Sequence, residues 1–280
     1  MFAFHPDPTV ASNEQTRDGT RREQRAAARR ERVAAERAAR ARAARRRRFF
    51  QLGGVVAIAA VIVVVVIVAS GGGGGGGPSG LQSGTTANKT VAQVSSLLRG
   101  VPQSGVTLGN PRAPVTMTYY GDLQCPICRT FTLNTMPQLI AHDVRDGTMN
   151  IQYRALETAT QDPTVFQQQQ VAALSAGQQN RMWDYVELFY HQQGPEGSGY
   201  VNNDFLRTLA SQARLDMARW QSGLSDAALA RQVQAEGTRA AALGVSATPT
   251  LILRGPRGTR GVAGAATYAQ MQQLLASVSA

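Results

Sequence analysis

The segment 115–137, VTMTYYGDLQCPICRTFTLNTMP, constrains the fold more than any other part of the chain. Its β-branched and aromatic start reads as a strand and Gly121 with Asp122 as a turn. Cys125-Pro126-Ile127-Cys128 then opens a helix with two thiols at its N-terminus. Phe131, Thr135 or Met136, Leu139, Ile140 and Val144 recur at helical spacing, which predicts a buried face. Pro137 predicts a kink, because its ring removes a backbone donor and crowds the preceding turn. Residues 150–156, NIQYRAL, alternate as a second strand, and the helix between the two strands predicts parallel pairing.

Beyond this unit the pattern changes. Residues 166–220 carry helical signals and no convincing strand. Met182, Val186 and Phe189 mark one apolar face, with Trp183 and Tyr185 near it. Phe205, Leu206 and Leu209 belong to another helix, with Asn203 as its N-cap and Asp204 in its first turn. Ser225 is read as the N-cap of a helix that runs to Leu243 and ends at Gly244. Residues 250–253 form a strand, 255–258 a turn and 260–263 its hairpin mate. The last helix, 267–278, is expected to bury Tyr268, Met271, Leu274, Leu275 and Val278. Upstream, 91–98 reads as a short helix and 99–114 as a polar, turn-rich link. The order β, α, β, helical block, β, β, α predicts an α/β domain, a small mixed sheet with helices inserted in its middle.

Charge separates this domain from what precedes it. Of the net charge of +11, residues 1–48 hold 14 arginines against six acids, whereas residues 91–280 hold 14 against 12. The basic balance belongs to the tail, and the folded part lacks the basic surface or module that nucleic-acid binding needs. Residues 21–48 contain only Ala, Arg, Glu, Gln and one Val, a helix-prone stretch without an apolar stripe. In residues 49–69 Gln51 is the only strongly polar side chain. As a helix that run would reach roughly 31 Å, enough to cross a bilayer core. The 13 arginines in the 28 residues before it put the N-terminus in the cytoplasm. The expected organisation is a cytoplasmic tail at 1–48, a single transmembrane anchor at 49–69, a glycine-rich linker at 70–90 and an extracytoplasmic domain at 91–280. Cleavage near Ala69 and Ser70, where small residues follow the run, is the alternative to an uncleaved anchor.

Cys125 and Cys128 are the only cysteines, so no disulfide framework exists beyond the bond they could form with each other. At the helix start, unsatisfied backbone N–H groups and the positive end of the dipole favour the thiolate of Cys125 and lower its pKa. Cys125 is therefore the expected attacking, substrate-facing residue, and Cys128, one turn in, the residue that resolves a mixed disulfide. Pro126 suits the first turn, where its missing N–H has no helical acceptor to serve. Ile127 offers neither charge nor donor to a thiolate. Three other readings compete. A zinc site wants four ligands, and His142 and His191 stand in no ligand spacing. The pair could also be an inert structural disulfide, or two reduced core thiols. The preceding strand and the exterior location favour the redox reading.

Three stretches together, YYGDLQCPICRTF, the helical block and GVSATPTLIL, resemble the DsbA-like branch of the thioredoxin superfamily over residues 107–278, particularly its membrane-anchored or secreted bacterial members. The resemblance implies a thioredoxin-like fold with a helical insertion, preceded here by a single transmembrane helix. It implies that Cys125 and Cys128 are the redox pair, with no cofactor or metal besides. It also places Thr248 and Pro249 in a loop that faces them, with a cis proline and exposed backbone for an extended substrate. Asp122 falls where the family often has an acid, although a turn-forming Asp accounts for it as well. Tyr119 departs from the pattern. Many relatives carry Glu there, a buried acid that assists proton transfer near the second thiol, and a phenol cannot replace its proton affinity at neutral pH. Glu157, at the end of the neighbouring strand, is a candidate substitute, though a surface loop acid is the plainer reading. Tyr119, Asp122, Pro126, Ile127 and Glu157 are thus the candidate tuning residues.

The activity implied is the oxidation of reduced or misoxidised exported proteins through a mixed disulfide at Cys125. Recycling would fall to a quinone-linked DsbB-like or vitamin K epoxide reductase-like membrane partner, and residues 49–69 would contact the lipid bilayer. A disulfide reductase or isomerase is the alternative within the class, because direction depends on the relative stability of both redox states. A redox-independent binding module on the same scaffold is the alternative outside it.

Overall fold

Helix α1 (Gly84–Leu98) opens the part of the chain that the computed structural model describes, residues 81–280. The expected tail and anchor, and residues 70–80 of the expected linker, lie outside the described residues. Among the described residues no helix is long and apolar enough to cross a membrane. Helix α1 begins at Gly84 rather than Val91. Ala87 and Thr90 are buried with Val94 and Leu98 at helical spacing, so the polar stretch 84–90, expected as linker, is helix.

The link that follows is more ordered than its sequence suggests. Strands β1 (Gln103–Ser104) and β2 (Thr107–Leu108) form a small hairpin, and β2 pairs with a later strand through Thr107↔Gln152 and Leu108↔Ile151. Two-residue strands leave no alternation to read. Strand β3 (Val115–Gly121) follows, then α2 (Pro126–Asn134), α3 (Met136–Leu139) and a π-helical turn (Ile140–Val144). The expected kink is here: regular helix stops at Thr135, next to Met136 and Pro137, and resumes as α3. Phe131, Met136, Leu139, Ile140 and Val144 are all buried, each full side chain contributing about 1.5–3 kcal/mol of burial.

Strand β4 (Met149–Ala155) runs parallel to β3 in register from Val115↔Met149 to Gly121↔Ala155, as a helical crossover requires. Four helices fill the middle of the chain: α4 (Pro163–Gly177), α5 (Met182–His191), α6 (Asn203–Gln212) and α7 (Met217–Leu224). After α8 (Ala227–Ala242), strands β5 (Thr250–Gly255) and β6 (Gly258–Ala263) form the expected hairpin. Helix α9 (Tyr268–Val278) closes the domain. The sheet order is β1-β2-β4-β3-β5-β6, with β5 antiparallel to β3. Strand β3 therefore lies between β4 and β5, and its end delivers the cysteines to the middle of the sheet.

Caps explain the helix starts and correct two expectations. Asn202, not Asn203, caps α6 by accepting from Phe205 N–H, and Asp226, not Ser225, caps α8 by accepting from Ala228 N–H. Both true caps are extended, a backbone state that aims the side-chain oxygen at the second or third N–H. The chain leaves α8 through Gly244, whose φ of +71° suits glycine. In α9, Met271, Leu275 and Val278 are buried, while Tyr268 and Leu274 pack against the core from partly exposed positions. Helix α5 differs most from its one-faced expectation. It is buried all round from Met182 to Tyr190 because α1, α2, α4 and α6 surround it.

Candidate active site

The turn after β3 carries Cys125 to the N-cap of α2, with Pro126 at the first helical position. Cys125 Sγ accepts from Cys128 N–H at 3.4 Å, so the sulfur occupies the place a capping oxygen would take. Opposite it, the Thr248-Pro249 peptide is cis, and the thiol donates to the Thr248 carbonyl at 3.5 Å. The Thr248-Pro249 loop and the cysteines, separate in sequence, are thus brought together.

The two thiols are chemically unlike. Cys125 is held down to about 6, mainly by the hydrogen bond from the Cys128 side chain. Burial opposes this, and the Thr248 side chain and the Cys128 and Ile127 backbone N–H groups reinforce it. Cys128 has no exposed surface. Burial, the Cys125 hydrogen bond and the Cys125 charge push its thiol well up. Pro126 is exposed, and Ile127 leaves 41% of its surface open beside the sulfur without a polar contact. Among the described residues no group of three or more His, Cys, Asp or Glu side chains is arranged to hold a metal ion.

Beneath Cys128 lies a cluster of phenols. Tyr119 is fully buried, and its ring meets Phe131 and Tyr153 edge-on at 5.4 and 5.5 Å. Its hydroxyl lies 3.2 Å from Thr132 Oγ1 and donates to Tyr190 OH at 3.2 Å, while Tyr190 donates to the Asp122 carbonyl at 3.1 Å. Tyr153 donates to the Gly121 carbonyl at 3.0 Å. Burial pushes all three phenols well up, so they stay protonated at neutral pH. Gly121 makes the crowding tolerable. A Cβ there would stand 2.8 Å from the Tyr153 ring and 3.2 Å from that of Tyr119.

Asp122 is more than a turn former. Its Oδ1 accepts from Gln124 N–H at 3.0 Å, the Thr160 hydroxyl at 2.6 Å and Gln169 Nε2 at 3.2 Å. Its Oδ2 accepts from the backbone N–H groups of Thr158, Ala159 and Thr160 at 3.1, 2.9 and 2.9 Å. One buried carboxylate thus ties the cysteine turn to the loop after β4. That loop turns its N–H groups inward, and Glu157 is exposed with no side-chain hydrogen bond among the described residues. No hydrogen bond links the Glu157 side chain to the thiols or to Tyr119 among the described residues.

Sequence reasoning passed over several residues that complete the site. Gln193 Nε2 donates to the carbonyls of Leu123 and Cys125 at 2.8 and 3.2 Å. Arg129 Nε donates to the Tyr190 carbonyl at 2.9 Å, bonding α2 to the C-terminal turn of α5. Gln169 and Gln170 are buried in α4, Gln170 donating to Tyr153 OH at 3.3 Å. One signal was available: Gln169 shares a helical face with Phe166 and Ala173, both buried. Thr158, Tyr190 and Gln193 had no comparable mark.

The family described as Thioredoxin matches residues 102–277. The chain belongs to the thioredoxin family. Disulfide bond formation protein D of Bacillus subtilis is 23% identical over 177 residues, 59% of this chain and 75% of that protein. A stretch of 164 residues, 58% of this chain, is 30% identical to Na(+)/H(+) antiporter NhaA 1 of Mycolicibacterium gilvum and spans 25% of it. The crystal structure of oxidised BdbD from Bacillus subtilis superposes with a TM-score of 0.55 at 18% identity, covering 63% of this chain and 95% of that one. The fold therefore closely resembles DsbA- and BdbD-type disulfide oxidoreductases, with extra helices on a thioredoxin-like α/β frame. In that frame, a closely spaced pair with one acidic and one buried thiol is the arrangement of a thiol–disulfide active site.

Proposed function

We propose that this thioredoxin-family protein introduces disulfides into reduced exported proteins, with Cys125 as the attacked and attacking sulfur and Cys128 as its buried partner. The observation that carries this reading is the placing of Cys125 Sγ at the N-cap of α2, where it accepts from Cys128 N–H at 3.4 Å and lies 3.5 Å from the Thr248 carbonyl beside the cis proline. A stabilised thiolate favours the reduced pair, so the disulfide readily takes electrons from a substrate. A substrate thiolate attacks Cys125 Sγ, the Cys125–Cys128 bond breaks, and Cys128 leaves with its electron pair and takes up a proton. A second substrate thiolate attacks the substrate sulfur of the mixed disulfide and displaces Cys125 as thiolate. The substrate has then lost two electrons, which the reduced pair holds.

Thr248 and Pro249 would receive the substrate backbone beside Cys125, and Ile127 would offer an apolar contact. Tyr119 would keep the space under Cys128 free of charge, and Asp122 would hold the two loops in register. The Arg-rich segment at 1–48 and the apolar run at 49–69 support a cytoplasmic tail and a single anchor, with the catalytic domain on the far side of the membrane and the glycines as tether. A membrane partner of the quinone-linked or vitamin K epoxide reductase-like kind would take the two electrons on and restore the disulfide.

Cys125→Ser is expected to abolish oxidation of a reduced peptide, and retained activity would sink the mechanism. Cys128→Ala should prolong mixed disulfides at Cys125 and reveal clients by mass. If no client is trapped from exported protein, a redox-independent binding role becomes the better account.

A further inference from the structure

Two threonine hydroxyls meet beside the site. Thr158 Oγ1 and Thr248 Oγ1 are hydrogen-bonded although they stand 90 residues apart in sequence. Thr248 faces the sulfurs. Its carbonyl accepts from Cys125 Sγ at 3.5 Å, and its hydroxyl lies near enough to both sulfurs to favour the thiolate of either. Thr158 is held independently: its backbone N–H donates to Asp122 Oδ2 at 3.1 Å, on the carboxylate that also accepts from Gln124 next to Cys125. Its hydroxyl is thus offered to Thr248 by a backbone that would stay in place without it.

A hydroxyl has one proton to give. If Thr248 spends it on Thr158, none remains for sulfur; if Thr248 accepts from Thr158, its own proton is free. A thiolate is a strong, purely accepting partner and a disulfide a weak one, so the direction of the Thr158–Thr248 bond is coupled to the redox state. We propose that Thr158 is a positioning residue: in the reduced protein its hydroxyl donates to Thr248 Oγ1, which directs the Thr248 proton to the Cys125 thiolate. The inference rests on the role proposed for Cys125. Chained hydrogen bonds polarise one another, so Thr158 stabilises the reduced state through Thr248 and makes the pair more oxidising.

The test uses the full chain in detergent, reduced, with alkylation of Cys125 by iodoacetamide followed by mass against pH. Wild type, Thr158→Val and Thr158→Ser are compared, alongside their equilibria with glutathione. Valine keeps the backbone N–H and the branched shape but lacks the hydroxyl. Because Thr158 is exposed, Thr158→Ala serves as a second hydroxyl-free variant. The hydroxyl-free variants should raise the alkylation midpoint by about half a unit to one unit. They should also move the glutathione equilibrium about three- to tenfold toward the protein disulfide. Serine should restore both. An unchanged midpoint in Thr158→Val overturns the proposal. So does a shift that serine fails to restore, which assigns the effect to packing. Peptide oxidation is scored on the same samples: a wild type that leaves peptide reduced, while the Thr158-dependent midpoint persists, refutes the functional reading and upholds this one.

Discussion

At the residue scale, two identical side chains three positions apart on one helix have opposite acid strengths. Cys125 accepts hydrogen bonds from the Cys128 side chain and from backbone N–H groups at the helix start, whereas Cys128 is fully buried, which disfavours its charged form. The same contrast between satisfied and unsatisfied polar groups governs Asp122, whose two oxygens serve four backbone N–H groups, a hydroxyl and an amide. In Asp122→Asn one oxygen becomes an amino group and meets donors instead of being offered to them. That variant should lose about 2–4 kcal/mol in urea unfolding, since buried donors are left without a charged acceptor. A loss below the measurement error would mean that the cysteine turn and the loop after β4 are held by other contacts.

At the element scale, the helical insertion is joined by close backbone approach as much as by apolar area. Where α7 crosses α4, Trp220 Nε1 donates to the Ala172 carbonyl at 3.0 Å and Ser175 Oγ donates to the Trp220 carbonyl at 2.9 Å. Gly223 lies at the same crossing, and a Cβ added there would fall on the Ser175 hydroxyl. Gly223→Ala should therefore cost about 1–3 kcal/mol, read as a lower melting temperature, because neither helix can retreat without losing these bonds. Pairing Gly223→Ala with Ser175→Ala should recover part of the loss. Helix α5 explains why the insertion matters to the thiols: Tyr190 and the chain just after it, at Gln193, bond to the turn that carries Cys125.

For the whole molecule, one buried acid makes stability depend on pH. Glu187 lies in α5 with neither carboxylate oxygen hydrogen-bonded, and burial, aided by the charge of Asp184, pushes it up to about 8. The unfolded carboxyl loses its proton near 4.5, whereas the folded one holds it until about 8. Between those values only the unfolded chain gains by ionising. Stability is thus fully present below the lower value and lost as pH rises through the upper one, by an amount on the order of a few kcal/mol. Glu187→Gln, with the same shape and no charge, should flatten that dependence and raise stability near neutral pH. An unchanged slope would assign the pH dependence to other groups.

How far this molecule can be read from its sequence follows from the range of the forces involved. Local periodicity determined β3, the kinked helix behind the cysteines, the parallel pairing of β4 and the β5–β6 hairpin, because burial stamps a period of two or 3.6 on the chain wherever one face meets the core. The two thiols at a helix start were legible for the same reason, whereas the leading part that the Cys128 side chain plays in the acidity of Cys125 was not. Only the tertiary structure decided which distant groups met. It gave Asp122 its partners 36 to 47 residues downstream, set Thr158 on Thr248, and buried Gln169 and Tyr190 against the site. Hydrogen bonds between buried polar groups depend on where two separate backbones converge, and they leave no repeat along either one. Glu157 and Glu187 make the point from both sides: two acids alike in sequence, one turned out by a loop whose N–H groups face Asp122, the other enclosed by surrounding helices.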